Sequence, residues 1–217
     1  MQILIDAIRF ITLSQLALVI FLLWGIPKKR QYHWLTLFFG ICLSAYLLTY
    51  WQPILDSKLV FYTILPLSVA LPLSFWLFSK TLFDDNFKWN RRYTLWVLIA
   101  VAIHTLLYLL NGNLWESIEG DWKNLAKLPP YLISMLFVLL GLLEGFKNYE
   151  SDLILERLKL RAPFIIASAV VMFLTLASLM TLQHDNLPQI FELIQKLMIG
   201  GLVFYFSISQ LQLKEIE

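Results

Sequence analysis

Apolar residues fall along this chain in seven long blocks separated by short polar segments. The blocks run over about 3–26, 34–51, 59–83, 93–110, 131–146, 162–182 and 188–209. Between them lie PKKRQYH, QPILDSK, DDNFKWNRR, NGNLWESIEGDWKNLAKLPP, KNYESDLILERLKLR and QHDNLP. Each block is close to the roughly 20 residues that carry a helix across the ~30 Å hydrocarbon layer of a bilayer. The blocks are uniformly apolar, without the alternation of barrel strands. Lipid offers the backbone no hydrogen-bond partner, so such segments are predicted to be helices. The pattern predicts an all-α, polytopic membrane protein: one domain over 1–217, folded as a seven-transmembrane-helix bundle.

Composition agrees with a lipid solvent. Of 217 residues, 59% are hydrophobic, 15% aromatic and only 15% charged, with a mean hydropathy of +0.70. A soluble domain carries about 25% charged residues. The net charge of +2 is too small to point to nucleic acid as a partner of these residues. The single cysteine, Cys42, excludes an internal disulfide and a cysteine-built metal cage.

Charge distribution sets the expected orientation. The first block is long, holds Asp6 and Arg9 near its start, and is followed directly by Pro27, Lys28, Lys29 and Arg30. It reads as a first span rather than a removable signal peptide. With the N-terminus outside, twelve bases fall in inner segments: Lys28, Lys29, Arg30, Lys80, Lys88, Arg91, Arg92, Lys147, Arg157, Lys159, Arg161 and Lys214. Four (Arg9, Lys58, Lys123 and Lys127) fall outside, and Lys196 lies within a span. The positive-inside rule therefore predicts an outer N-terminus and a cytoplasmic C-terminus.

Polar groups inside spans are costly and so are candidate sites. Asp6 and Arg9 lie three apart near the outer end of helix one, on one face. Glu192 and Lys196 lie four apart in the outer half of helix seven, and His104 lies past the middle of helix four toward the same side. Tyr50 and Trp51 end helix two there, and Thr175, Ser178 and Thr181 lie in the outer half of helix six. Together they suggest a cavity open to the outer side, taking a small or lipid-like ligand. Each has a structural alternative: a neutralising Glu192–Lys196 pair, a hydrogen-bonded packing histidine, a wet interfacial Asp6–Arg9 pair, and hydroxyls bonded to neighbouring backbone. Glu144 near the inner end of helix five has Lys80 or Lys147 as its expected partner.

Motion has its own signals. Pro66 and Pro72 fall inside helix three and can kink it. That helix ends in Asp84 and Asp85, so it could relay an outer event to the inner loop. Gly200 and Gly201 mark a close-packing or bending point on helix seven.

The segment LPLSFWLFSKTLFDDNF carries a resemblance. Its Pro72, Phe75, Trp76, Leu77, Phe78, Lys80, Leu82, Phe83, Asp84, Asp85 and Phe87 are similar to a pattern in the membrane domains of bacterial AraC-type transcription regulators with seven predicted transmembrane helices. A second segment, ESDLILERLKLR, is similar through Asp152, Leu153, Arg157, Leu160 and Arg161. The two cover about thirty residues. The resemblance implies a sensory domain in the bacterial inner (cytoplasmic) membrane, a homodimer if its operator is symmetric, and acting on DNA only through a C-terminal domain of two helix-turn-helix units. SISQLQLKEIE, where these residues end, contains no such unit, so the expectation is an isolated sensor domain or a protein whose effector is separate.

Two other classes stand beside it. Seven helices, an outer N-terminus and Lys196 in helix seven, preceded by Glu192, also suit a retinal protein, but residues 59–83 lack a carboxylate to serve as counterion. A transporter or intramembrane enzyme would need features that are missing here: paired acids across helices, HExxH, a nucleophile elbow or inverted halves. The expectation is no catalysis and no cofactor.

Overall fold

The computed structural model describes residues 2–27, 30–49, 51–84, 86–113, 128–147, 163, 165–167, 169–171 and 187–213. Among them the only regular structure is helical. The helices are α1 (Gln2–Trp24), α2 (Gln31–Thr49), α3 (Gln52–Asp56), α4 (Lys58–Val69), α5 (Leu71–Phe83), α6 (Arg91–Asn113), α7 (Leu128–Phe146) and α8 (Leu187–Leu213). Residues 163, 165–167 and 169–171 are helical as well. Among the described residues, four segments are long and apolar enough to cross a membrane: Gln2–Trp24, Gln31–Thr49, Lys58–Phe83 and Pro129–Phe146. Six of the seven expected helices thus have a described counterpart within a few residues, and the sixth expected block, 162–182, lies mostly outside the described residues. The chain forms two compact units, Met1–Pro27 with Gly145–Glu217, and Lys28–Glu144.

In the first unit α1 packs on α8. The buried face of α1 is Ile5, Arg9, Thr12, Leu16 and Leu23, spaced at three-, four- and seven-residue steps so that they share one stripe. The facing residues of α8 include Lys196, Ile199 and Val203, all buried. Arg9 meets Glu192 and Thr12 meets Gly200, so the contacts climb along both helices together and α1 and α8 run parallel. Gly200 permits this approach: a Cβ built there would stand 2.8 Å from Thr12 Oγ1.

In the second unit α2 packs against α4 and α5, and α4 against α6. Leu35, Leu73 and Leu77 form a core surrounded by Trp76, Phe87, Trp89, Val97, Ala100, Val101 and Phe137. The Phe39 ring stacks on Phe78 at 5.0 Å. Gly141 of α7 lies against α5, where a Cβ would come within 2.5 Å of the Phe75 ring and 3.1 Å of Ser79 Oγ.

The single helix expected over 59–83 is broken. α4 ends at Ala70 (φ −74°, ψ −9°), and α5 starts at Leu71. Pro72 accounts for the break: it has no N–H to give the Ser68 carbonyl, and its ring crowds that carbonyl. Pro66 is accommodated inside α4. The expected loop QPILDSK also holds a surprise, the one-turn helix α3, with Pro53 in its first turn where a missing N–H costs nothing.

Several covered hydroxyls are satisfied locally, although Thr105 Oγ1 is buried with no hydrogen-bond partner among the described residues. Thr12, Ser44, Thr49, Ser74 and Ser79 each donate to a carbonyl three or four residues back, at 2.7–2.9 Å. This is the usual way for Ser and Thr to enter an apolar helix.

Candidate functional site

Two polar centres are built into the apolar helices, one in each unit. In the first unit, Arg9 points from the buried stripe of α1. Its side chain is fully covered. Arg9 Nη1 donates to Asp6 Oδ1 at 2.6 Å, one turn back, and Arg9 Nη2 lies 3.7 Å from Glu192 Oε1 on α8. Lys196 Nζ, also buried, donates to the same Glu192 oxygen. Gln2 Nε2 reaches Asp6 Oδ1 at 3.3 Å. Four charged groups therefore form one neutral chain: Asp6, Arg9, Glu192, Lys196. The two cations are buried, and the two carboxylates are about a third exposed, at 30% for Asp6 and 38% for Glu192.

The helical spacing explains why the pairs form. Asp6 and Arg9 at i,i+3 and Glu192 and Lys196 at i,i+4 are neighbours on their own helices. The parallel packing of α1 on α8 then joins them through Arg9 and Glu192. An isolated charge would be expensive in this setting, and a pair with good geometry offsets that cost. Chemically, the cluster can hold two helices together reversibly, and it offers carboxylate oxygens at its more exposed edge.

The other expected site residues are placed differently. His104, on α6 in the second unit, is buried, and its Nε2 lies 3.3 Å from Ser134 Oγ on α7. Ser134 Oγ donates to the Pro130 carbonyl at 2.9 Å, so His104 and Ser134 form a hydrogen-bonded crosspiece between α6 and α7. That is the packing role set out above as its structural alternative. Trp51 also belongs to the second unit. It occupies the N-cap of α3, with extended backbone, and its carbonyl accepts from Ile54 and Leu55. The residues expected to line one outer cavity fall in both units, Asp6, Arg9, Glu192 and Lys196 in the first and His104 and Trp51 in the second. Tyr50, Thr175, Ser178 and Thr181 lie outside the described residues.

The segment following α5 is more ordered than a solvated loop. Asp84 closes α5, and its Oδ1 accepts from the Asn86 N–H at 3.0 Å, making a local turn. Asp85 lies outside the described residues. Gln31, the first residue of α2, holds the segment from the side: its Oε1 accepts from Trp89 N–H at 2.9 Å, and its Nε2 donates to the Phe87 carbonyl at 3.5 Å. Asn90 caps α6 by accepting from Tyr93 N–H at 3.1 Å. Beneath them Lys80 Nζ lies over the rings of Trp76, Phe87 and Tyr93, 5.3–5.9 Å from each centroid, and 3.7 Å from Glu144 Oε1 on α7. Both members of that ion pair are largely covered. Lys80 is thus one of the two partners expected for Glu144.

Gln31 and Tyr93 were not legible as organising residues. One signal existed for the cage: Lys80 follows Trp76 by one helical turn, and aromatic residues recur at Phe87, Trp89 and Tyr93.

No family model, no curated protein and no solved structure matches this chain.

Proposed function

We propose that this chain is the membrane-embedded sensory domain of a transcription regulator, relaying an outer or intramembrane signal to a cytoplasmic helix-turn-helix domain. The observation that carries the reading is the ion chain Asp6–Arg9–Glu192–Lys196. It couples the first helix to α8, the helix that would lead into a C-terminal output domain. Buried ionisable groups in membrane helices are costly enough to mark function. A small or lipid-like ligand that competes for Glu192 or Asp6 would loosen α1 from α8 and shift α8.

The parallel course of α1 and α8 is consistent with this topology. Two parallel spans require an odd number of crossings between them. Five crossings between them, as the seven-block pattern proposes, would meet that condition and would leave the chain's two ends on opposite sides. The resemblance of 72–87 to regulator membrane domains adds the output class. A homodimer in the bacterial cytoplasmic membrane belongs to the same reading. The retinal alternative draws less support, because Lys196 is engaged by Glu192 rather than presented as an isolated amine.

The reading frame beyond the codon for Glu217 is the direct test. A frame continuing into about a hundred residues with two helix-turn-helix patterns supports the regulator. A stop codon there, with no cytoplasmic DNA-binding protein captured by the inner loops, overturns it. With the frame in hand, Arg9→Gln should change promoter output in a reporter strain while leaving the protein in the membrane.

A further inference from the structure

The segment between α5 and α6 carries charges that helix stability does not explain. Asp84 sits at the C-terminal end of α5, and Arg91 and Arg92 open α6, with Lys88 just before them. Helix dipoles favour the opposite arrangement, cations at C-termini and anions at N-termini. Lys88, Arg91 and Arg92 are exposed and form no ion pair among the described residues. Asp84 directs Oδ1 to the backbone of its own turn. Lys80, the base nearest in space to the rings, is turned inward to Glu144. The outward charge on the α6 side is therefore that of three bases.

These bases stand on a fixed platform. Gln31 bonds both Phe87 and Trp89, Trp89 Nε1 donates to Thr94 Oγ1 at 2.9 Å, and the Lys80 ammonium lies under Phe87 and Tyr93. The backbone that presents the bases is already ordered, so a partner need not supply that ordering cost. Beyond Arg92 the exposed surface turns apolar at once, with Leu95, Trp96 and Leu98 each more than 60% exposed. Bases, then aromatic rings, then aliphatic side chains is the order in which a protein meets headgroups, interface and hydrocarbon.

We propose that Lys88, Arg91 and Arg92 form a contact surface for the phosphate groups of anionic lipids. The match is electrostatic, and short juxtamembrane clusters of bases gain affinity for an anionic leaflet with each base. Setting orientation during insertion would require the same charges but no lipid preference in the folded protein, and the experiment separates the two.

The purified chain is placed in nanodiscs of phosphatidylcholine, with or without phosphatidylglycerol, and amide exchange is followed at residues 86–94. Phosphatidylglycerol should slow exchange there severalfold, and high salt should reverse the effect. Removing each base should reduce the lipid preference roughly fivefold. Lys88→Gln/Arg91→Gln/Arg92→Gln should abolish the difference, while Lys58→Gln keeps it. Arg92→Gln alone serves should the triple variant fail to fold. Equal exchange of the wild type in both lipids overturns the proposal, as does a lipid effect that survives removal of the bases. Protection by an acidic peptide in phosphatidylcholine, with none from phosphatidylglycerol, also overturns it and assigns the surface to an acidic protein partner.

Discussion

Arg9 is the residue on which the first unit turns. It is fully covered, and its guanidinium serves two carboxylates on different helices. Removing one member of a buried ion pair strands the other, typically at about 3–5 kcal/mol. Arg9→Gln should therefore lower stability to unfolding in mixed micelles by that order. Glu192→Gln in the same background should recover part of the loss, with a coupling energy of about 0.5–3 kcal/mol in a double-mutant cycle. Additive effects would mean that the 3.7 Å approach contributes nothing. The adjacent glycines of α8 give a second contrast. Gly200→Ala drives a methyl into Thr12 Oγ1 and should cost about 1–3 kcal/mol. At Gly201 a Cβ meets nothing within 4 Å among the described residues, so Gly201→Ala should be neutral or stabilise by up to about 1 kcal/mol. Thermal denaturation of the two variants side by side reads the difference. The charged pairs were legible because helical spacing alone puts residues three and four apart on one face. The Arg9–Glu192 link was not, because 183 positions of chain separate them and only packing brings them together.

At the scale of elements, the span Lys58–Phe83 shows how far a local rule reaches. Two prolines predicted a kink, and the break falls at Ala70, two residues before Pro72. Pro66, equally visible in the sequence, leaves α4 intact. Pro72→Ala restores the donor for the Ser68 carbonyl and should fuse α4 with α5. Spin labels at 62 and 82 should then settle roughly 30 Å apart, the length of twenty residues of unbroken helix. A distance unchanged from the wild type would assign the break to packing against α2. For the segment after Phe83 the sequence predicts only a turn with bases. What fixes it is an assembly from four stretches of sequence: Gln31, Lys80, the segment 84–90 and Glu144. Cation–π contacts and ion pairs of this kind depend on distances between helices, which no pattern within one segment encodes.

At the scale of the whole molecule, the prediction concerns sidedness. Starting from Cys42→Ala, single cysteines at Lys58 and at Lys88 should label from opposite faces of sealed vesicles, with position 88 on the cytoplasmic side. Labelling of both from one face would mean that Lys58–Phe83 does not cross the bilayer. The charge asymmetry that sets this expectation was legible because insertion responds to bases in short loops, a property of sequence. Likewise the helical class and the segments long enough to span followed from the length and apolar character of the blocks, since lipid forces each segment to satisfy its own backbone. Tertiary structure alone decided which polar groups meet across helices. It joined Arg9 to Glu192, brought Lys80 to Glu144, and made His104 a crosspiece to Ser134. The physical reason is common to all three. A backbone hydrogen bond in lipid is settled within one helix, whereas the partner of a buried polar side chain is whichever group the packing of another helix delivers.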